Sequence, residues 1–170
     1  TSSEALQRLY DSPLVLKGSI QSKENKMGFG TADWSWTING TQQGPVLAGD
    51  IKWRNGIVWQ IALDGDHPAI SLGEIINRFG TPEKVSVDLG GIPEAIVWDG
   101  VFFYAKSGFE LYMEWDMADP QITPSDHIKY VVLFKPTTIE DWISAIDLDI
   151  EVFNLQDWKG YGNLGDLYFR

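Results

Sequence analysis

The stretch Ser71–Val85, SLGEIINRFGTPEKV, decides how the chain is read. Ser71 stands three positions ahead of Glu74, the spacing of a capping box, in which the two residues satisfy each other's free N–H groups at a helix start. Leu72, Ile75, Ile76 and Phe79 follow at i, i+3, i+4 and i+7, which is one apolar face of a helix. Gly80-Thr81-Pro82 stops it with a left-handed cap and a proline. Val85 then opens a strand.

The opening of the chain repeats this pattern at an offset of 70. Thr1 aligns with Ser71, Glu4 with Glu74, Leu6 with Ile76, Arg8 with Arg78, Leu9 with Phe79 and Val15 with Val85. Internal repeats are sought first because missing one misreads the whole fold. After each helix the period changes to two. Trp34, Trp36 and Ile38 alternate with Ser35 and Thr37, and Ile51–Trp53 meets Ile57–Ile61 through Arg54-Asn55-Gly56, a strong tight-turn signal. In the second half Ala95–Trp98 is expected to turn at Asp99-Gly100 into Val101–Ala105. Lys106-Ser107-Gly108 then leads into Phe109, Leu111, Met113 and Trp115, alternating with Glu110, Tyr112 and Glu114. Further strands are expected at Leu14–Lys17, Lys84–Val87 and Ile128–Phe134. In the tail, Thr138 and Asp141 cap a helix with Ile139, Trp142, Ile143 and Ile146 on its apolar face, and Trp158 and Tyr161 tuck back onto the body. The expected class is α+β: two tandem repeats of a helix plus antiparallel sheet, helices packed on one face of the sheet. Residues 1–70 form the first repeat, 71–136 the second, and 137–170 an extension on the same body.

The motif Ser71-x-x-Glu74-Ile75-Ile76-x-x-x-Gly80-x-Pro82-x-x-Val85 resembles the helix-to-strand opening of the SmpA/OmlA (BamE-like) envelope lipoprotein domains. A tandem duplication of such a unit, in a chain of this length, resembles the beta-lactamase inhibitor protein fold. The resemblance implies a bacterial, extracytoplasmic setting, in the cell envelope or secreted, often with an N-terminal lipid anchor. It also implies a concave sheet surface of the kind that grips an enzyme. The lipid would sit on a cysteine upstream of Thr1, because the chain itself contains none.

Composition narrows the chemistry. The 170 residues carry 24 acidic against 13 basic side chains, a net charge of −11, so the phosphate-neutralising stripe of a nucleic-acid binder is not expected. A basic protein partner suits the charge. With no cysteine, thiol nucleophiles and thiolate metal sites are excluded. Asp64-Gly65-Asp66-His67 has carboxylates for calcium but lacks the EF-hand spacing, and reads as a turn. A zinc site would need His67, His127 and a carboxylate to converge. No nucleophile elbow or phosphate loop occurs, so no catalytic residue, metal or cofactor is assigned. Glu110 and Glu114, with Asp116 and Asp119 beyond them, are the carboxylates a small hydrolase would use. Asn39-Gly40-Thr41 is a glycosylation sequon that reads as a turn. Of the eight tryptophans, Trp34, Trp36, Trp53 and Trp59 lie on or beside strands and belong to the core.

That leaves a surface. Tyr104, Glu110, Tyr112, Glu114 and Tyr130 sit on three strands and, if they share the face away from the helices, form an acidic, tyrosine-rich platform. Tyrosine gives contact area at low entropy cost and glutamate steers a cationic partner. The reading is a non-enzymatic envelope protein-interaction module. Its alternatives are an inhibitor or immunity-type protein covering a basic enzyme, and a carbohydrate-binding module built on exposed aromatic rings.

Overall fold

Both helix starts form in the computed structural model, which describes residues 1–16, 18–35, 37–38, 41–42, 49–64, 70–92, 95–118, 120–146 and 154–168. Trp36, Asn39, Gly40, Asp66, His67 and Asp119 lie outside the described residues, and with them the sequon and most of the Asp64–His67 cluster. Thr1 and Glu4 make a reciprocal capping box for α1 (Ser2–Asp11). Ser71 and Glu74 make the second, for α2 (Leu72–Phe79). Two shorter helices, α3 (Ile139–Ala145) and α4 (Leu164–Tyr168), follow late in the chain.

The strands in chain order are β1 Gln21–Glu24, β2 Phe29–Trp34, β3 Thr37–Ile38, β4 Thr41–Gln42, β5 Gly49–Arg54, β6 Ile57–Asp64, β7 Lys84–Ile92, β8 Ala95–Tyr104, β9 Phe109–Asp116, β10 Gln121–Ile122, β11 Tyr130–Phe134, β12 Leu155–Gln156 and β13 Gly162–Asn163. They correct the expected fold class. Nine of them form one large, mostly antiparallel sheet in the order β1-β2-β5-β6-β11-β9-β8-β7-β12, with small helices, and not two helix-plus-sheet repeats. The chain divides into two compact units, Thr1–Asp64 with Val132–Lys135, and Gly65–Val131 with Pro136–Arg170. Period-two alternation specifies that a segment is a strand but not which strand it joins, so the duplicated helix starts carried no information on strand order.

In the first unit, Asn55 (φ 50°) and Gly56 (φ 75°) are both left-handed, as a two-residue hairpin turn matched to the twist of β5 and β6 requires. Ala32, Trp34, Ile51 and Trp53 pack with Val15 on one face, against Ala5, Leu6 and Leu9 of α1. Gly30 lies beneath the Trp53 indole, where a Cβ would fall 2.0 Å from a ring atom.

In the second unit the expected turn at Asp99-Gly100 does not exist. β8 runs straight through it, with Asp99 opposite Asp88 on β7 and Glu114 on β9. Gly100 clears space for an aromatic ring instead: a Cβ there would stand 2.6 Å from the Trp115 ring. Lys106-Ser107-Gly108 does turn, through a short 3-10 segment closed by left-handed Gly108 (φ 80°). One face of this sheet holds Val85, Val87, Phe102, Tyr104, Phe109, Leu111, Met113 and Trp115, packed with Leu72, Ile75 and Ile76 at α2 and Leu164 and Tyr168 of α4.

Helices on a single face are the second correction. α3 lies on the opposite side of the sheet from α2, since Trp142 Nε1 donates to Glu110 Oε2 at 2.8 Å and Glu110 alternates with the core-facing Phe109 and Leu111.

Candidate functional site

The register of β8 and β9 assigns each platform residue to a face. Tyr104 pairs with Phe109, Phe103 with Glu110, Val101 with Tyr112 and Asp99 with Glu114, and directly paired residues point the same way. Tyr104 therefore belongs to the core face, where it is 2% exposed. Its hydroxyl donates to the Gly80 carbonyl at 3.0 Å, and its ring stacks on Phe109 with centroids 4.6 Å apart. Burial raises its pKa well above the ordinary tyrosine value. The structure thus separates Tyr104 from the other four. Glu110, Tyr112 and Glu114 share the second face, and Tyr130 joins them because its neighbour Val131 packs into the core of the first face.

The second face has a covered end and an open end. At the covered end Glu110 is 3% exposed and Phe103 fully buried. Glu110 accepts from the Trp142 indole and is hydrogen-bonded to the Tyr112 hydroxyl; burial outweighs both bonds and pushes its pKa up to about 7. The same burial, with the Glu110 charge beside it, raises Tyr112. Glu110 is sealed in this way, and its weakened acidity belongs to the packing beneath α3. Glu110 and Glu114 are four residues apart on one strand, or about 14 Å at 3.4 Å per residue, beyond the roughly 5–10 Å span of a glycosidase pair.

At the open end the register sets three carboxylates abreast: Asp88 on β7, Asp99 on β8 and Glu114 on β9. Asp88 and Glu114 are exposed and Asp99 half-buried. Desolvation first, then the Glu114 charge, raises the Asp99 pKa, and Lys129 partly offsets them. Lys129 Nζ is bonded to the Glu114 carboxylate, and its backbone N–H donates to the Tyr112 carbonyl at 2.9 Å. Tyr130 adds an aromatic ring 43% exposed. Gly90 lies against the Asp99 carboxylate, where a Cβ would reach within 1.6 Å of Oδ2. Sequence reasoning missed Asp88 and Asp99 because Asp99-Gly100 read as a turn. The signal available was the hairpin count: with Gly108 as the turn, Tyr104 falls opposite Phe109 and Asp99 opposite Glu114.

Among the described residues no group of three His, Asp or Glu side chains is placed to hold a metal ion. His127 bridges to Ser71 in the backbone. No helix among the described residues is long and apolar enough to cross a membrane. Compared with known proteins, the chain matches no family model, no curated protein and no solved structure.

Proposed function

We propose that the chain is a non-enzymatic protein-interaction module that holds a cationic protein segment on the open end of the second face in the Gly65–Val131 unit. The observation that carries this reading is Asp99 standing in register between Asp88 and Glu114, with the exposed Tyr130 ring on the same face. Like charges directly opposite on neighbouring strands destabilise a sheet, so the row costs the free protein stability. A partner lysine or arginine laid across it would relieve that cost, and Tyr130 would supply apolar contact. An inhibitor or immunity-type role is the form of this activity in which the cationic segment belongs to an enzyme. The bacterial envelope setting rests on the resemblance of Ser71–Val85 alone and is proposed on that ground.

A labelled ten-residue Lys/Arg-rich peptide tests the reading by fluorescence anisotropy at low and moderate salt. Binding is expected at low ionic strength, weakening as salt screens the row. The double variant Asp88→Asn/Asp99→Asn should weaken binding at least about tenfold, while Asp11→Asn/Glu140→Gln, which removes the same charge elsewhere, leaves it within about twofold. Equal loss in both variants would show that net charge alone attracts the peptide, and the reading would fail.

A further inference from the structure

A different feature, in the Thr1–Asp64 unit, is a cleft of about 340 Å³ on the sheet face away from α1, within the size range of small-molecule sites. The register of β1, β2, β5 and β6 lines up Lys23, Thr31, Lys52 and Gln60 across this face. Strand spacing near 4.8 Å places the two lysine Cα atoms about 10 Å apart, with the Thr31 hydroxyl between them. A β-bulge decides the wall. Lys52 pairs with Gln60 and Trp53 with Val58, so Trp59 is the extra residue on β6 and turns into the cleft. Phe29 lines it as well, 41% exposed, with the Arg54 guanidinium over its ring at 4.6 Å.

The electrostatics run against the rest of the chain. Neither Lys23 nor Lys52 makes an ion pair with a described residue. The nearby carboxylates are otherwise placed. Glu24 lines the cleft, but its carboxylate accepts from Trp53 Nε1 at 2.6 Å, on the core side. Asp33 and Asp50 pair with each other one row further along the sheet, where burial raises the Asp50 pKa and Lys52 partly lowers it. Two lysines beside a Trp and a Phe form a cationic, aromatic-walled recess in a protein of net charge −11.

We propose that this cleft binds a small aromatic carboxylate. The ring lies against Trp59 and Phe29, where stacking and apolar burial hold it, and the carboxylate reaches Lys23 and Lys52, with Thr31 donating between them. The site is independent of the acidic face described above, and its test uses neither that face nor its partner.

The probe is 2-naphthoate, titrated into the full chain by calorimetry and followed at the Trp59 indole N–H by NMR, with neutral 2-naphthamide as its uncharged match. Naphthoate is expected to bind about tenfold or more tightly than the amide, a difference of about 1.4 kcal/mol. In Lys23→Met/Lys52→Met, naphthoate should fall to the level of the amide while the amide itself is unchanged. Trp59→Leu should weaken both ligands, and Trp59→Phe, which keeps a ring at the bulge, should restore most of the loss. Equal affinities for naphthoate and naphthamide in the native chain would overturn the proposal. So would naphthoate binding that survives the double lysine variant, or no shift of the Trp59 resonance at saturating naphthoate.

Discussion

Replacing Glu110 with Gln separates the cost of a buried charge from the packing around it. Glu110 is 3% exposed, and burial lifts its pKa from 4.5 to about 7 despite bonds from Trp142 and Tyr112. A folded pKa raised above the unfolded one means the native state binds the proton more tightly. The resulting stability is fully present below about pH 4.5 and is lost as pH rises to about 7. At about 1.4 kcal/mol per pH unit, that window amounts to about 3 kcal/mol. Gln cannot ionise but keeps an oxygen for the Trp142 N–H. Its amide brings a second N–H donor where the protonated acid has one O–H, a cost of about 1 kcal/mol at low pH.

Urea unfolding of both proteins at intervals from pH 5 to pH 8.5 reads the difference directly, because all other titrating groups cancel. The variant should be about equal in stability to the native chain near pH 5, where the curves meet, and about 2 kcal/mol more stable at pH 8.5. For a chain of this size, the gain of about 2 kcal/mol at pH 8.5 corresponds to roughly 4–8 °C in melting temperature. Parallel curves across this range would refute the argument, since they would mean that Glu110 is solvated in the native state and that α3 does not seal it.

Gly100→Ala should cost about 1–3 kcal/mol in urea unfolding, because its Cβ would stand 2.6 Å from the Trp115 ring and overpack the core; an unchanged midpoint would show that β8 does not run beneath that indole. Ser71→Ala removes the side-chain acceptor for the Glu74 N–H and should lower stability by about 1 kcal/mol, read by thermal unfolding. Asp99→Asn should raise the melting temperature at pH 8 more than at pH 4, because the raised Asp99 pKa marks a carboxylate penalised when ionised beside Glu114 and Asp88; a lower melting temperature at both pH values would show that the Asp99 charge is needed for folding.

Much of the local structure was legible. Both capping boxes, the Asn55-Gly56 turn and the alternation of Phe109, Leu111, Met113 and Trp115 follow from side-chain chemistry acting over four or five residues, and all appear as read. The misreadings have a different physical origin. A glycine after an aspartate resembles a turn whether it bends the chain or admits an indole, and only the distant Trp115 decides which. Likewise the duplicated helix starts say nothing of the strand that each sheet edge accepts. The faces of the platform, by contrast, could have been counted: the Ala105–Gly108 turn fixes Tyr104 opposite Phe109, which places it in the core and leaves its immediate neighbour Phe103 opposite Glu110.

What could not be counted is the difference between Glu110 and Glu114. They are the same residue type on the same face of the same strand, yet one is buried with a pKa of about 7 and the other is exposed and paired with Lys129. Their separation of about 14 Å is more than the roughly 10–12 Å width of a helix with its side chains, so one helix laid over the first glutamate leaves the second in water. That helix, α3, lies some thirty residues further along the chain, and its apolar face was legible as Ile139, Trp142 and Ile143, but its landing place was not. The clue is its tryptophan: Trp142 is 4% exposed, and a buried indole N–H needs an acceptor. Glu110 provides it on a face otherwise lined at that end by Phe103 and Val101. The Trp142–Glu110 bond beneath α3 therefore also divides the second face, making a pH-sensitive seal at Glu110 and leaving the charged row of Asp88, Asp99 and Glu114 beyond the helix.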